Sequence, residues 1–211
     1  MLIKICGIKD MNIAHIAVEA GADALGFVFA PSPRQVAPQV AKKIIQSLPE
    51  TIMKVGVFVN ASISTVRDIA NYCALTTLQF HGQENSYYCQ QFSLPIIKVI
   101  KITKSGSFLS EPGSYQGAVR LFLADTYQKG KEGGTGKAFP WQKVDSIKKY
   151  GSVILAGGLR PDNVYQALSI TQPWGVDVSS GVETDGTKDS KKIRKFIQEV
   201  QRWKNEFSST E

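Results

Sequence analysis

Leu2-Ile3-Lys4-Ile5-Cys6, then Met11-Asn12-Ile13-Ala14-His15-Ile16-Ala17-Val18-Glu19-Ala20, then Ala24-Leu25-Gly26-Phe27-Val28-Phe29 open the chain. The first and third segments are aliphatic and strand-length, whereas apolar residues in the second recur at three- and four-residue spacing, the period of a helix. Strand, helix and strand in succession form the βαβ unit of a parallel sheet. The alternation continues outward from this unit. Strand-like runs lie at Leu2–Cys6, Ala24–Phe29, Met53–Val59, Thr77–Phe80, Pro95–Ile100, Val119–Ala124, Ser152–Ala156 and Gly175–Val178. Helical stretches fall at Met11–Ala20, Val40–Leu48, Ile63–Cys73, Ser86–Gln91, Pro140–Tyr150, Asp162–Ser169 and Lys188–Phe207. The connection from Thr103 to Gly117 is rich in Gly and Ser and contains Pro112, which predicts a short or irregular fifth unit. Eight βα units of about 26 residues suit a (β/α)8 TIM barrel, and a doubly wound open sheet is the other arrangement with this alternation. A chain that starts on a strand and ends on a long amphipathic helix favours the closed ring. With no linker-like stretch, residues 1–211 read as a single α/β domain.

A chain of 211 residues buries roughly 70% of its unfolded surface, enough for one sizeable core. Hydrophobic residues at 43% and charged residues at 20% exclude a disordered or fibrous chain. No apolar run is long enough to span a membrane, and the N-terminus lacks a secretory pattern, so a cytoplasmic protein is expected. Cys6, Cys73 and Cys89 are too scattered for a disulfide framework or a zinc site, which predicts reduced thiols and no metal. The net charge of +7 is concentrated in Lys188, Lys191, Lys192, Arg194, Lys195, Arg202 and Lys204. Ile193, Phe196, Ile197, Val200, Trp203 and Phe207 recur among them at helical spacing, so these cations read as the solvated face of an outer helix. A nucleic-acid-binding module would use that basic helix differently, and no interleaved aromatic surface supports one.

In a barrel, chemistry gathers at the C-terminal ends of the strands. Ala156-Gly157-Gly158-Leu159 follows the seventh strand and Asp177-Val178-Ser179-Ser180-Gly181-Val182-Glu183 the eighth, the two loops where barrel enzymes often bind phosphate through backbone N–H groups. Taken singly, the glycine pair reads as a tight turn and the serine pair as a helix cap; together they predict a phosphate ester ligand. The Gly-rich stretch 128–138 fails both tests of a Walker A loop and reads as a flap closing over substrate. Cys6 and Asp125 both stand at the mouth, a thiol and a carboxyl able to form an acid–base pair, although a lone cysteine also serves as a small buried hydrophobe and an aspartate as a cap. Period two places Lys4 on the face of Cys6, where its ammonium favours a thiolate. Arg34, after the stiff Pro31-Ser32-Pro33, suits a bidentate carboxylate contact. His81 reads either as a neutral hydrogen-bonding wall or as a proton carrier. His15, Cys73 and Cys89 read as structural.

Lys4-Ile5-Cys6-Gly7-Ile8, Gly26-Phe27-Val28-Phe29 through Arg34, Val55 through Asn60, Leu78-Gln79-Phe80-His81-Gly82, Gly133-Gly134-Thr135-Gly136-Lys137, Leu155 through Leu159 and Asp177 through Glu183 together resemble the phosphoribosylanthranilate isomerase family, in that family's order. The resemblance implies a (β/α)8 enzyme of tryptophan biosynthesis that converts N-(5-phosphoribosyl)anthranilate to 1-(2-carboxyphenylamino)-1-deoxyribulose 5-phosphate without cofactor or metal. On matching positions it implies Cys6 as general base, Asp125 as general acid, and Arg34 as ligand of the anthranilate carboxylate. It implies substrate contacts at His81, Gly157, Gly158, Asp177, Ser179, Ser180 and Gly181. Such chemistry needs Asp125 protonated and Cys6 ionised at the start, hence burial around the carboxyl and a cation near the sulfur, for which Lys4 is the candidate. The only partner expected is the phosphosugar substrate, with a monomer favoured over a homodimer. Another phosphosugar barrel, an epimerase or an indole-glycerol-phosphate synthase-like lyase, would share the phosphate site but gives no reason for Cys6 with Asp125.

Overall fold

A computed structural model describes residues 1–126 and 140–208. Strands β1 (Leu2–Cys6), β2 (Ala24–Val28), β3 (Met53–Phe58), β4 (Thr77–Phe80), β5 (Ile96–Ile102), β6 (Leu121–Thr126), β7 (Ser152–Leu155) and β8 (Gly175–Val178) form a closed parallel barrel in sequence order. The ring closes by pairing β1 with β8, Leu2 opposite Gly175 and Lys4 opposite Asp177. Helices α1 (Met11–Ala20), α2 (Pro38–Gln46), α3 (Ile63–Cys73), α4 (Ser86–Cys89), α5 (Asp145–Lys148), α6 (Val164–Thr171) and α7 (Ser190–Ser208) cover the outside. A (β/α)8 barrel is therefore the fold, as the alternation predicts. No helix among the described residues is long and apolar enough to cross a membrane.

Strands covered on both faces read as unbroken apolar runs, and their period of two divides the core into two layers. Ala24, Val55, Ile97, Val99, Leu123, Ile154 and Ala156 fill the barrel interior. Alternate residues such as Ile3, Ile5, Leu25, Phe27, Phe122 and Leu155 pack outward with the helices. Above the interior layer Cys6, Val28, Ala30 and Val57 form a small apolar collar at the mouth. Local signals set the helix ends. Asp10 caps α1 by accepting from the Ile13 N–H at 2.9 Å, and Gly21 ends it at φ 107°.

Several element boundaries differ from the sequence reading. Predicted Pro140–Tyr150 is a 3-10 turn at Trp141–Val144 followed by the single turn α5, and Lys188 precedes α7 in a short strand rather than starting the helix. Strand β6 runs two residues beyond Ala124, which brings Asp125 into the ladder opposite Lys101. The fifth unit has one 3-10 turn, Pro112–Tyr115, in place of a helix, and Tyr115 is buried there with its hydroxyl donating to the Glu84 carbonyl at 3.0 Å. On α7, Ile193, Phe196, Ile197, Val200 and Trp203 are buried against the barrel. Its cations lie outside, with Arg202 paired to Glu199 and Glu206. The 128–138 flap lies outside the described residues.

Candidate active site

Inward-facing positions at the strand ends meet at the barrel mouth. Cys6 from β1, Asp125 from β6, Asp177 from β8, and the loop residues Arg34, His81 and Ser179 line one cleft of about 610 Å³. A second pocket of about 320 Å³ adjoins it, lined by Gly157, Gly158, Ser180 and Gly181 and sharing Asp125, Asp177 and Ser179 with the first. Every sequence-predicted site residue therefore borders one continuous depression.

Asp125 is almost wholly buried, and burial pushes its carboxyl up to about 6. The Thr126 N–H, donating to Oδ1 at 2.7 Å, pulls the other way without prevailing. The neighbouring Asp177 adds to the rise, while Lys101 and Lys4 oppose it. The second oxygen, Oδ2, lies 3.5 Å from His81 Nε2, without hydrogen-bond geometry. Burial first, then the cations Lys101, Lys98 and Lys4, hold His81 down to about 3. His81 is thus a neutral imidazole beside a carboxyl that is itself protonated below about pH 6, which favours the wall over the proton carrier.

Cys6 shares its corner with Lys4. A Cβ on Gly26 of β2 would stand 2.8 Å from Cys6 Sγ and 3.0 Å from Lys4 Nζ, so a glycine there leaves the slot both side chains occupy. Lys4 is fully buried and donates to Asp177 Oδ1 at 2.7 Å. Burial opposes its charge, but Asp177 and then the thiol raise its pKa above the ordinary lysine value. Lys4 acts in the expected direction, lowering the Cys6 pKa, but does not prevail. Burial pushes the thiol up, and the opposing pull of Lys4 and Lys188 does not overcome it. Desolvation is the largest influence, and the nearby Asp177 carboxylate adds to the rise.

The second pocket depends on close backbone approach. Gly157 has φ 76°, and a Cβ there would stand 2.5 Å from Thr126 Oγ1 and 2.7 Å from Thr126 N. Gly181 packs so tightly on the seventh loop that a Cβ would overlap the Leu159 carbonyl oxygen. The two loops therefore form one surface, as the paired glycine and serine motifs predict. Ser179 ties it to β1, its hydroxyl donating to the Cys6 carbonyl at 3.2 Å.

Arg34 reaches the cleft, and its backbone N–H donates to Ser32 Oγ at 3.0 Å in the Pro-flanked turn. Its fork is engaged by Glu183, Nε to Oε1 and Nη2 to Oε2, both at 2.7 Å. Lys188 is the site residue that sequence reasoning misplaced. It is no solvated helix cation: its side chain is 6% exposed and its Nζ sits 2.5 Å from Glu183 Oε1. The overlooked signal was Thr184-Asp185-Gly186-Thr187, whose Asp-Gly centre marks a tight hairpin. Strands β9 (Glu183–Thr184) and β10 (Thr187–Lys188) are that hairpin, with positive φ at Asp185 and Gly186.

A family model described as N-(5'phosphoribosyl)anthranilate (PRA) isomerase matches residues 3–199. The N-(5'-phosphoribosyl)anthranilate isomerase of Desulforudis audaxviator strain MP104C is 49% identical over 197 residues, 93% of this chain and 96% of that protein. Among solved structures, the phosphoribosyl anthranilate isomerase of Thermotoga maritima superposes with a TM-score of 0.84 at 35% identity, covering 96% of this chain and 99% of that one. A phosphoribosyl anthranilate isomerase in complex with reduced 1-(o-carboxyphenylamino)-1-deoxyribulose 5-phosphate superposes at 0.80 with 33% identity, covering 96% and 100%. Matched in sequence along nearly its whole length and in the closed barrel that carries these residues, the chain belongs to the N-(5'-phosphoribosyl)anthranilate isomerase family.

Proposed function

We propose that this protein isomerises N-(5-phosphoribosyl)anthranilate to 1-(2-carboxyphenylamino)-1-deoxyribulose 5-phosphate in tryptophan biosynthesis, with Asp125 as general acid and Cys6 as general base. The observation that carries the assignment is the cleft holding a thiol and a carboxyl pushed up to about 6, continuous with a pocket lined by Gly157, Gly158 and Gly181. Protonated Asp125 donates to the ring oxygen; the C1–O bond breaks as the anilino nitrogen forms a protonated imine with C1. That cation acidifies the C2 hydrogen and, standing near the sulfur, lowers the thiol pKa that burial has raised. Cys6, as thiolate, then removes the C2 proton, and the resulting enol amine tautomerises to the ketone. The phosphate rests on the Gly157-Gly158 and Ser179-Ser180-Gly181 loops, and Arg34 grips the ring carboxylate with the donors that Glu183 leaves open.

Consumption of phosphoribosylanthranilate by the purified protein, followed by fluorescence, tests the activity. Cys6→Ser and Asp125→Asn should each lower kcat at least the roughly 10²-fold typical of a lost acid–base group, with unchanged circular dichroism. Near wild-type kcat in either variant would sink that residue's assignment.

A further inference from the structure

Arg34 meets Glu183 through the Nε–Nη2 side of its guanidinium. Five N–H donors project from that plane and Glu183 takes two, so the Nη1–Nη2 edge remains for a second forked carboxylate. Glu183 is itself held from behind. The β9–β10 hairpin pairs Lys188 directly opposite Glu183, and Lys188 Nζ reaches Glu183 Oε1 at 2.5 Å, the Ser179 carbonyl at 3.0 Å and Ser179 Oγ at 3.3 Å. Both partners are buried, with side-chain exposures of 6% for Lys188 and 8% for Glu183, whereas Arg34 keeps 21%. The arrangement runs from a short hairpin, through a buried carboxylate, to one partly exposed arginine. On the far side a Cβ on Gly7 would stand 2.8 Å from Arg34 Cδ, so the stem of Arg34 lies flat against the backbone after β1.

We propose that Lys188 and Glu183 are positioning residues that hold the Arg34 fork with its free edge toward the cleft, making the site selective for a substrate bearing a ring carboxylate. The inference rests on the reading of Arg34 as the carboxylate ligand. An unsupported arginine samples many rotamers and loses that freedom on binding, whereas one locked by a buried carboxylate has lost it on folding. Neither Lys188 nor Glu183 needs to touch the substrate for this.

The test compares KM and kcat for two substrates, phosphoribosylanthranilate and the corresponding phosphoribosyl aniline that lacks the carboxyl, in wild type, Lys188→Met, Lys188→Arg, Glu183→Gln, Arg34→Lys and the Arg34→Lys/Lys188→Met double variant. Lys188→Met and Glu183→Gln should raise KM for the carboxylated substrate about tenfold, a larger change than in kcat, and leave KM for the aniline within about twofold. Lys188→Arg should recover most of the loss, and the double variant should bind no worse than Arg34→Lys alone. A KM rise shared by both substrates, or effects of Arg34 and Lys188 that multiply, would overturn the proposal. An unchanged KM in Arg34→Lys removes the reading of Arg34 as ligand, and the proposal with it, a result separate from the other two. If Lys188→Met fails to fold, Glu183→Gln, which leaves no unpaired carboxylate, decides the same comparison.

Discussion

Two lysines of the barrel are fully buried, and each meets one carboxylate, yet they occupy opposite faces of the sheet. Lys98 on β5 points outward and donates to Glu84 Oε2 at 2.8 Å and to the Gly82 carbonyl at 2.8 Å. Its ammonium lies 5.6 Å from the centre of the Tyr115 ring, under the 3-10 turn that stands where a fifth helix would be. Lys4 on β1 points inward, donates to Asp177 and borders the thiol of Cys6 at the edge of the cleft. Burial and a short ion pair are common to both, so neither property marks a functional lysine. The difference lies in the remaining neighbours. Lys98 is surrounded by carbonyl oxygens and a ring that complete an outer wall, and Glu84 beside it accepts the Asn60 N–H at 2.7 Å, tying the loops after β3 and β4 together. Lys4 instead acts on two groups that line the cleft, the Cys6 thiol and the Asp125 carboxyl.

Removing each cation sharpens the contrast. The largest effect is expected on stability at the outer wall: Lys98→Met leaves Glu84 buried without its cation, which costs about 3–5 kcal/mol for a broken buried pair. Thermal unfolding should show a Tm lower by roughly 10 °C, while the pH profile of kcat/KM of the folded enzyme superimposes on wild type. A shifted profile would mean that the outer pair reaches the chemistry after all.

Next comes the inner carboxyl. In the folded state Asp125 titrates at about 6 against its ordinary 3.8. A raised carboxyl means that the native state holds its proton more tightly, so this group's contribution to stability falls as pH rises between about 4 and 6 and is a constant penalty of roughly 3 kcal/mol above that window. A neutral amide at this position carries no such penalty, so the Tm of Asp125→Asn should gain on wild type across the window and then run parallel. A Tm difference independent of pH would show that the carboxyl ionises normally and is a poor acid near neutrality.

The smallest pKa shift belongs to the Lys4 variant, although removing this cation also leaves Asp177 buried without its partner. The Lys4 ammonium lowers the Cys6 pKa against the push of burial, so Lys4→Met raises the thiol pKa further. The limb of kcat/KM that rises as the thiol ionises should move to higher pH by about one unit. Thiolate absorbance titrated in a Cys73→Ala, Cys89→Ala background measures the same shift directly. Coincident curves would reduce Lys4 to the structural role of Lys98.

The barrel was legible along the chain, because eight apolar runs alternating with helical periods leave few ways to bury both faces of every strand. So was the place where the candidate site residues gather. Cys6, Asp125 and the two glycine and serine loops stand immediately at strand ends, and strand ends converge in a closed ring. The irregular fifth unit could be read from Pro112 and its glycines. What charge does at each place emerged only from the folded molecule. Lys188 belongs by composition to the basic C-terminal segment, but the Asp185-Gly186 turn folds it back onto Glu183. The Cys6 thiol is raised rather than lowered, since its proton affinity is a balance of desolvation against cations contributed by β1 and by the β9–β10 hairpin. Period and turn chemistry are local properties of consecutive residues. Electrostatic balance depends on distances between residues far apart in sequence, such as Lys4 and Asp177, which only closure of the barrel brings to 2.7 Å.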